Sequence, residues 1–357
     1  MTRPRLGFVG LGWIGRHRLE AVAATGLADI AVLYDPSREA VEAARQLAPE
    51  AAAAGTVEEL LALRPDGVVI ASPSALHAAQ AFEALSQGMA VFCQKPLGRS
   101  AAEVRAVVEK ARETNRLLAV DLCYRRTAAF GAIKAALDVG RIGRPFSADF
   151  AFHNAYGPDK AWFYDITRSG GGALMDLGTH LVDLALWIFD GPVAGVSATL
   201  YRRGERLCEP GLEDYGIATI EFEGGATVRL ACSWNLHAGR DAVIVGDIHG
   251  TDGGLRVRNR GGSFYDFEAC LLQGSGAVSL SEPPDDWGGR AIAGWVESLA
   301  SGTGFDPAAM GYIALSDTLD RIYAHAFGGQ VPAISRLPVI RSRRRGDPSG
   351  DAPTGRA

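Results

Sequence analysis

Residues 6–35 restrict the fold more than any other stretch of the chain. A short apolar run at 6–9 leads into Gly10-Leu11-Gly12-Trp13-Ile14-Gly15, and a helical apolar pattern then runs through Ala24. A lone GxGxxG carries little, but here a strand precedes it and a helix follows. An acidic residue, Asp35, closes the next apolar run about 20 positions on. Each glycine answers a separate demand: Gly10 permits a tight turn, Gly12 lets the backbone approach a pyrophosphate, and Gly15 lets helix and strand pack closely. The helix start, with Trp13 and Ile14 in its first turn, turns free N–H groups toward phosphates. Asp35 would accept bonds from the adenosine ribose hydroxyls and repel a 2′-phosphate, which favours NAD. Arg38 can reach a 2′-phosphate, so NADP stays open. A Rossmann-like methyltransferase and a glycine turn without a nucleotide are the competing readings.

The parallel pattern continues. Residues 67–71 read as a buried strand, followed by Ser72-Pro73-Ser-Ala-Leu-His77 and a helix to Gln87. Residues 90–93 lead to Gln94-Lys95-Pro96-Leu-Gly98 and a helix over 101–113; residues 117–122 end at Cys123-Tyr124-Arg125-Arg126. Ligands of open parallel sheets sit beyond the carboxyl ends of the strands, which puts Ser72, His77, Lys95 and Tyr124 round one crevice. Ser72, Pro73, His77 and Gln94 fall on its cofactor side. His77 reads as a cofactor-edge or packing residue, not as a catalytic group.

Composition sharpens one of these positions. Only four of the 36 basic residues are lysines, so arginine stands wherever a plain charge would serve. A lysine at a strand end then says more than usual, because lysine can be tuned to release its proton near neutral pH. Pro96 biases Lys95 away from helical angles. At 357 residues the chain is long enough for two domains. A net charge of −5 argues against a nucleic-acid partner. No window has the roughly 18 unbroken apolar residues of a membrane span, and the N-terminus enters a strand without a signal-peptide core. Five scattered cysteines without a CxxC pair fit reduced thiols. The expectation is a cytoplasmic protein.

A second distinctive stretch is Ser169-Gly-Gly-Gly-Ala-Leu-Met-Asp176-Leu-Gly-Thr-His180-Leu-Val-Asp183. Asp176 and His180 are four apart, and on an α-helix both would leave one face, one turn apart, with Asp183 near it. Polar groups inside an apolar run cost free energy unless paired. A structural Asp–His pair, a catalytic pair and a metal site all fit this spacing; without a third ligand, no metal is expected.

Taken together, Gly10-Leu-Gly-Trp-Ile-Gly15, Asp35-Pro, Ser72-Pro-Ser-Ala-Leu-His77, Lys95-Pro96 and residues 170–183 resemble the Gfo/Idh/MocA family, the glucose–fructose oxidoreductase and inositol dehydrogenase relatives, over about 4–335. The resemblance implies an α/β protein. An N-terminal Rossmann doubly wound parallel sheet (1–124) would join a C-terminal α/β domain with a large, mostly antiparallel sheet (125–335). It also implies Lys95, Asp176 and His180 as the catalytic set. Gln94 departs from the family's usual glutamate, which removes a carboxylate beside Lys95.

The remainder suits a substrate domain. Trp162 and Tyr164, in a loop at 154–169 with charged neighbours, could stack on a sugar, and Tyr124, Arg125, Lys95, Asp176 and His180 would complete the pocket. The short strands after residue 197 resemble an antiparallel sheet, whose open face points to a homodimer or homotetramer. The tail from 336, rich in Arg, Gly and Pro, reads as disordered. The leading function is an NAD(P)-dependent oxidoreductase acting on a hydroxyl or carbonyl of a sugar, amino sugar or cyclitol. His180 would be the base, Asp176 would orient its ring, and Lys95 would stabilise the reacting oxygen; base and electrophile could swap. A non-catalytic nucleotide sensor, and a lyase or glycosidase using transient oxidation with tightly held NAD, are the alternatives.

Overall fold

The computed structural model describes residues 3–189 and 191–329. The tail expected from 336 lies outside the described residues.

The first sheet is built from β1 (Arg5–Val9), β2 (Asp29–Tyr34), β3 (Ala52–Ala53), β4 (Gly67–Ile70), β5 (Ala90–Cys93) and β6 (Leu118–Val120). All pairs are parallel, in the order 3-2-1-4-5-6. Helices on both faces leave little exposed: every residue of β4 and β5 is buried. That is why these strands read as unbroken apolar runs instead of alternating ones. This is the Rossmann arrangement that residues 6–35 predict.

The second sheet has nine strands: β7 (Pro145–Asn154), β8 (Val193–Arg202), β9 (Glu205–Arg206), β10 (Tyr215–Phe222), β11 (Thr227–Ser233), β12 (Ala242–Gly250), β13 (Gly254–Asn259), β14 (Phe267–Gln273) and β15 (Gly276–Ser281). Their order is 15-14-13-12-7-11-10-8-9, antiparallel except where β11 runs alongside β7. Burial alternates along β10 and β11, so one face meets helices and the other does not. The uncovered face carries cross-strand ion pairs such as Arg229–Asp149 at 2.6 Å and Arg256–Asp247 at 2.5 Å.

Two helices tie the units together. Arg290–Ala300 follows the second sheet in sequence, yet Ile292, Trp295 and Val296 pack into the first core with Leu6, Phe8, Leu19 and Phe92. A Cβ on Gly67 would sit 2.8 Å from the Trp295 ring, so β4 needs a glycine there to accept that helix. Met310–Ala326 packs on β8 and also reaches back, its Asp320 accepting from the Ala101 N–H at 2.9 Å. The range 125–335 therefore contains a helix that completes the first core. Sequence order hides this, because nothing local in an amphipathic helix says which sheet it covers.

Candidate active site

The glycine loop has the shape that its residues predict. Gly10 lies at φ +88, and a Cβ there would strike the backbone of Ala71 and Ser72 at 2.5–2.6 Å. A Cβ on Gly15 would fall 2.0 Å from the Gly10 carbonyl oxygen. By contrast, a Cβ on Gly12 would meet nothing within 4 Å, so packing within the chain does not explain that glycine. Helix Trp13–Thr25 starts at Gly12 with no side-chain cap, which leaves first-turn N–H groups for a phosphate. Trp13 is exposed at this helix start and Ile14 is half-buried. Asp35, at the end of β2, accepts from the N–H groups of Leu11 (2.7 Å) and Ser37 (2.8 Å). Each carboxylate oxygen keeps lone pairs for a further donor. Arg38 is exposed at the start of the next helix. These residues fit a dinucleotide.

Beyond β4 and β5, the strand-end loops are braced against each other. His77 is buried, its Nδ1 2.8 Å from the Pro96 carbonyl oxygen and its Nε2 2.6 Å from that of Ser72. Its ring is a strut between the two loops, which gives it a packing part. Burial holds the imidazole below its ordinary pKa. The Ser72 hydroxyl donates to Gln80 at 2.6 Å, and Pro73 caps the helix Ser74–Ser86.

Lys95 is the point where the two units meet. Its ammonium donates to the Asp176 carboxylate at 2.6 Å and to the Asp176 carbonyl oxygen at 2.8 Å. Both side chains are largely buried. The Asp176 carboxylate also accepts from the Trp234 indole N–H at 3.1 Å. The stacked Asp176–His180 pair expected from an α-helix is not formed. Residues Leu174–Gly178 wind as a π-helix before the α-helix Thr179–Ile188 begins. Wider winding takes residues four apart out of the one-turn register, and a charge-assisted bond to Lys95 is stronger than one to a neutral imidazole. Asp176 thus serves Lys95, not the ring of His180.

His180 is 7% exposed, and no hydrogen bond to its ring is present among the described residues. The Tyr124 ring meets it edge-on at 4.7 Å, in a wall of Phe130, Phe152, Phe267 and Trp287. Burial, and then the Lys95 charge, hold the imidazole well below the ordinary histidine value. The imidazole is therefore neutral at neutral pH. Tyr124 is itself buried.

Other expected pocket residues have different partners. Arg125 is committed to Asp183, with Nε 2.8 Å from one carboxylate oxygen and a second bond of 2.5 Å to the other, beside the Trp187 ring. Trp162 stacks on Phe163 at 3.8 Å, while Tyr164 lies edge-on to Trp234 at 5.7 Å and donates to the Pro158 carbonyl. This loop therefore gathers over Trp234. Sequence reasoning missed Trp234, since its one mark is that it ends an alternating strand before Asn235, a turn residue at φ +58. Among the described residues no group of three or more His, Cys, Asp or Glu side chains is placed to hold a metal. No described helix is long and apolar enough to cross a membrane.

The departure at Gln94 also has a physical reason. Its amide donates to Asp121, which is fully buried and also accepts from Arg18 Nε at 2.5 Å. A glutamate at 94 would set a second carboxylate against the first.

A parallel sheet with a glycine-lined helix start, and a strand-end lysine bonded to a helix beside the second sheet, is the arrangement of a Rossmann-type oxidoreductase. Comparison with known proteins agrees. Residues 4–122 match the model of the oxidoreductase family with an NAD-binding Rossmann fold, and 130–256 match the GFO/IDH/MocA C-terminal domain. The chain belongs to the GFO/IDH/MocA family. It is 29% identical to inositol 2-dehydrogenase of Acidiphilium cryptum, over 94% of this chain and 97% of the relative. It is 30% identical to a putative UDP-kanosamine synthase oxidoreductase subunit of Amycolatopsis mediterranei, over 71% of this chain and 75% of that one. A solved levoglucosan dehydrogenase, in complex with NADH and levoglucosan, shares the fold with a TM-score of 0.78 at 23% identity, covering 92% of this chain and 98% of that one.

The Gln94 contact is testable. In Gln94→Glu, one of the two facing carboxyls must take up a proton. A carboxyl whose pKa is raised by folding contributes stability at low pH and loses it as pH rises. The variant should therefore be destabilised by roughly 1–3 kcal/mol at mildly alkaline pH and by less at mildly acidic pH, in urea titrations. Adding Asp121→Asn should restore stability. Equal stability of Gln94→Glu and the native chain at both pH values would contradict the contact.

Proposed function

We propose that the protein is an NAD-dependent dehydrogenase acting on a secondary hydroxyl of a sugar, amino sugar or cyclitol. The observation that carries this reading is the Lys95 ammonium. Two of its three N–H donors are used on Asp176, and the third, without a partner among the described residues, can meet a substrate oxygen. Its position beyond β5 is where an open parallel sheet receives ligands.

NAD would be held by the helix start at Gly12 and by Asp35, and when bound it supplies the hydride acceptor. The Asp35 carboxylate repels a 2′-phosphate, which favours NAD over NADP even with Arg38 close by. His180, neutral and without a hydrogen bond to its ring among the described residues, takes the hydroxyl proton. Lys95 holds the reacting oxygen and stabilises the negative charge that develops there. Asp176 fixes the direction of the Lys95 ammonium, and Trp234 fixes Asp176. Trp162 and Tyr164 offer aromatic faces to the C–H side of a ring. Relatives named for inositol and levoglucosan support the substrate class.

Purified protein with NAD and a panel of inositols, pyranoses and amino sugars should produce NADH with one polyol class. His180→Ala should lower kcat by roughly 10²–10⁴-fold while NAD affinity is kept. No turnover across the panel despite tight NAD binding would favour a sensor or a transient-oxidation enzyme. The pH profile follows from the His180 environment. The base must be neutral to act, and a lowered pKa extends its neutral range toward acid. The acid limb of kcat/KM should therefore lie below the ordinary histidine value of 6.5. A limb at or above that value would contradict His180 as the base.

A further inference from the structure

We infer that Glu213 is a positioning residue for the active site, a buried carboxyl that sets the start of the helix carrying Asp176 and His180. The inference rests on the part given to Asp176 above. Glu213 precedes β10 and is 0% exposed. Its Oε1 accepts from the N–H groups of Gly172 (3.0 Å) and Leu174 (2.9 Å) and from the Tyr323 hydroxyl (2.8 Å). Oε2 shares the Gly172 N–H at 3.1 Å, and the Glu213 carbonyl accepts from Ala173 N–H at 3.0 Å. Three consecutive N–H groups, at 172, 173 and 174, thus end on one residue.

These are the donors that a helix start leaves without partners. A local Ser, Thr or Asp would ordinarily take one of them, but here the cap position is Ala173, which has no side-chain acceptor. Glu213 supplies the acceptors from about 40 residues downstream. Gly171 and Gly172 are explained by the same contact, whereas Gly170 lies at φ +88 with its Cβ position 2.8 Å from the Arg99 side chain. A Cβ on Gly171 would lie 2.1 Å from the Tyr323 hydroxyl, and one on Gly172 would lie 1.8 Å from the Glu213 carbonyl oxygen. These two glycines let a glutamate and a tyrosine close on the backbone.

The next residue extends the clamp. The Asp214 carbonyl accepts from Trp234 N–H at 2.8 Å, and the Trp234 indole holds Asp176 at 3.1 Å. Residues 213 and 214 therefore fix Asp176 from two sides, through the helix start and through its indole partner. Lys95 binds both the carbonyl and the carboxylate of Asp176, so a shift of this helix start moves the Lys95 ammonium. Among the described residues no hydrogen bond joins Glu213 to the glycine loop proposed to hold the nucleotide. Burial pushes its carboxyl up to about 7, which makes an uncharged isostere compatible with the site.

The test compares Glu213→Ala, Glu213→Gln and Tyr323→Phe. The first readout needs no turnover: the Trp234 indole N–H resonance in 15N-tryptophan-labelled protein, assigned with Trp234→Phe. Glu213→Ala and Tyr323→Phe should move that resonance, whereas Glu213→Gln should leave it near its native position. With a turned-over substrate, Glu213→Ala should lower kcat by roughly 10–100-fold, as a misplaced reacting group does. KM should change little, NAD affinity should hold, and Glu213→Gln should recover most of the rate. If Glu213→Ala does not fold, the smaller change Tyr323→Phe decides the matter. An unmoved indole in Tyr323→Phe and in any folded Glu213→Ala would overturn the inference. So would a Glu213→Gln variant as impaired as alanine. If native protein oxidises nothing, the dehydrogenase reading fails while the indole shift still decides the part of Glu213.

Discussion

The contact between Lys95 and Asp176 is the constraint on which the remainder of the site depends. The lysine stands at the end of a strand in the parallel sheet and the aspartate on a helix of the second unit, 81 positions further along the chain. An ammonium and a carboxylate taken out of water must satisfy each other, and the protein arranges its neighbours accordingly. His77 braces the loop that carries Lys95 against the loop after β4. Trp234 takes the other oxygen of Asp176. The helices Arg290–Ala300 and Met310–Ala326 return from the second unit to the first, so the charge pair bridges two bodies that are already locked by apolar packing.

The same contact explains why His180 is left free. With Asp176 turned to Lys95, the imidazole keeps an apolar wall on one side and a nearby positive charge, and both favour its neutral form. In the proposed reaction a base and an electrophile are thereby set apart: Lys95 would stabilise oxygen charge and the neutral histidine would accept a proton. An aspartate on the histidine would have raised its pKa and blurred that division.

Legibility in the sequence follows the range of the interaction. The glycine loop, Asp35, the buried parallel strands and Lys95 are local features, and each appears in the structure where its residues predict. The Asp176–His180 stack was misread because the spacing argument assumes α-helical winding, while a π segment occupies 174–178. Arg125 and His77 look available in sequence but are committed to Asp183 and to two backbone carbonyls. Trp234, Glu213 and the Asp121–Arg18–Gln94 cluster act through contacts between distant segments, and nothing in their immediate neighbours marks them. Gln94 shows the middle case. Its departure from the family pattern is visible in sequence, but the carboxylate that accounts for it lies 27 residues on.

The most direct measurement is a double-mutant cycle on kcat/KM with Lys95→Met and Asp176→Asn, run on the substrate class identified by the panel. If Asp176 acts by holding the Lys95 ammonium, the aspartate substitution costs little once the lysine is gone, and the double variant is no slower than Lys95→Met alone. Fully additive losses would mean that Asp176 acts on the reaction independently of Lys95, contrary to the arrangement described.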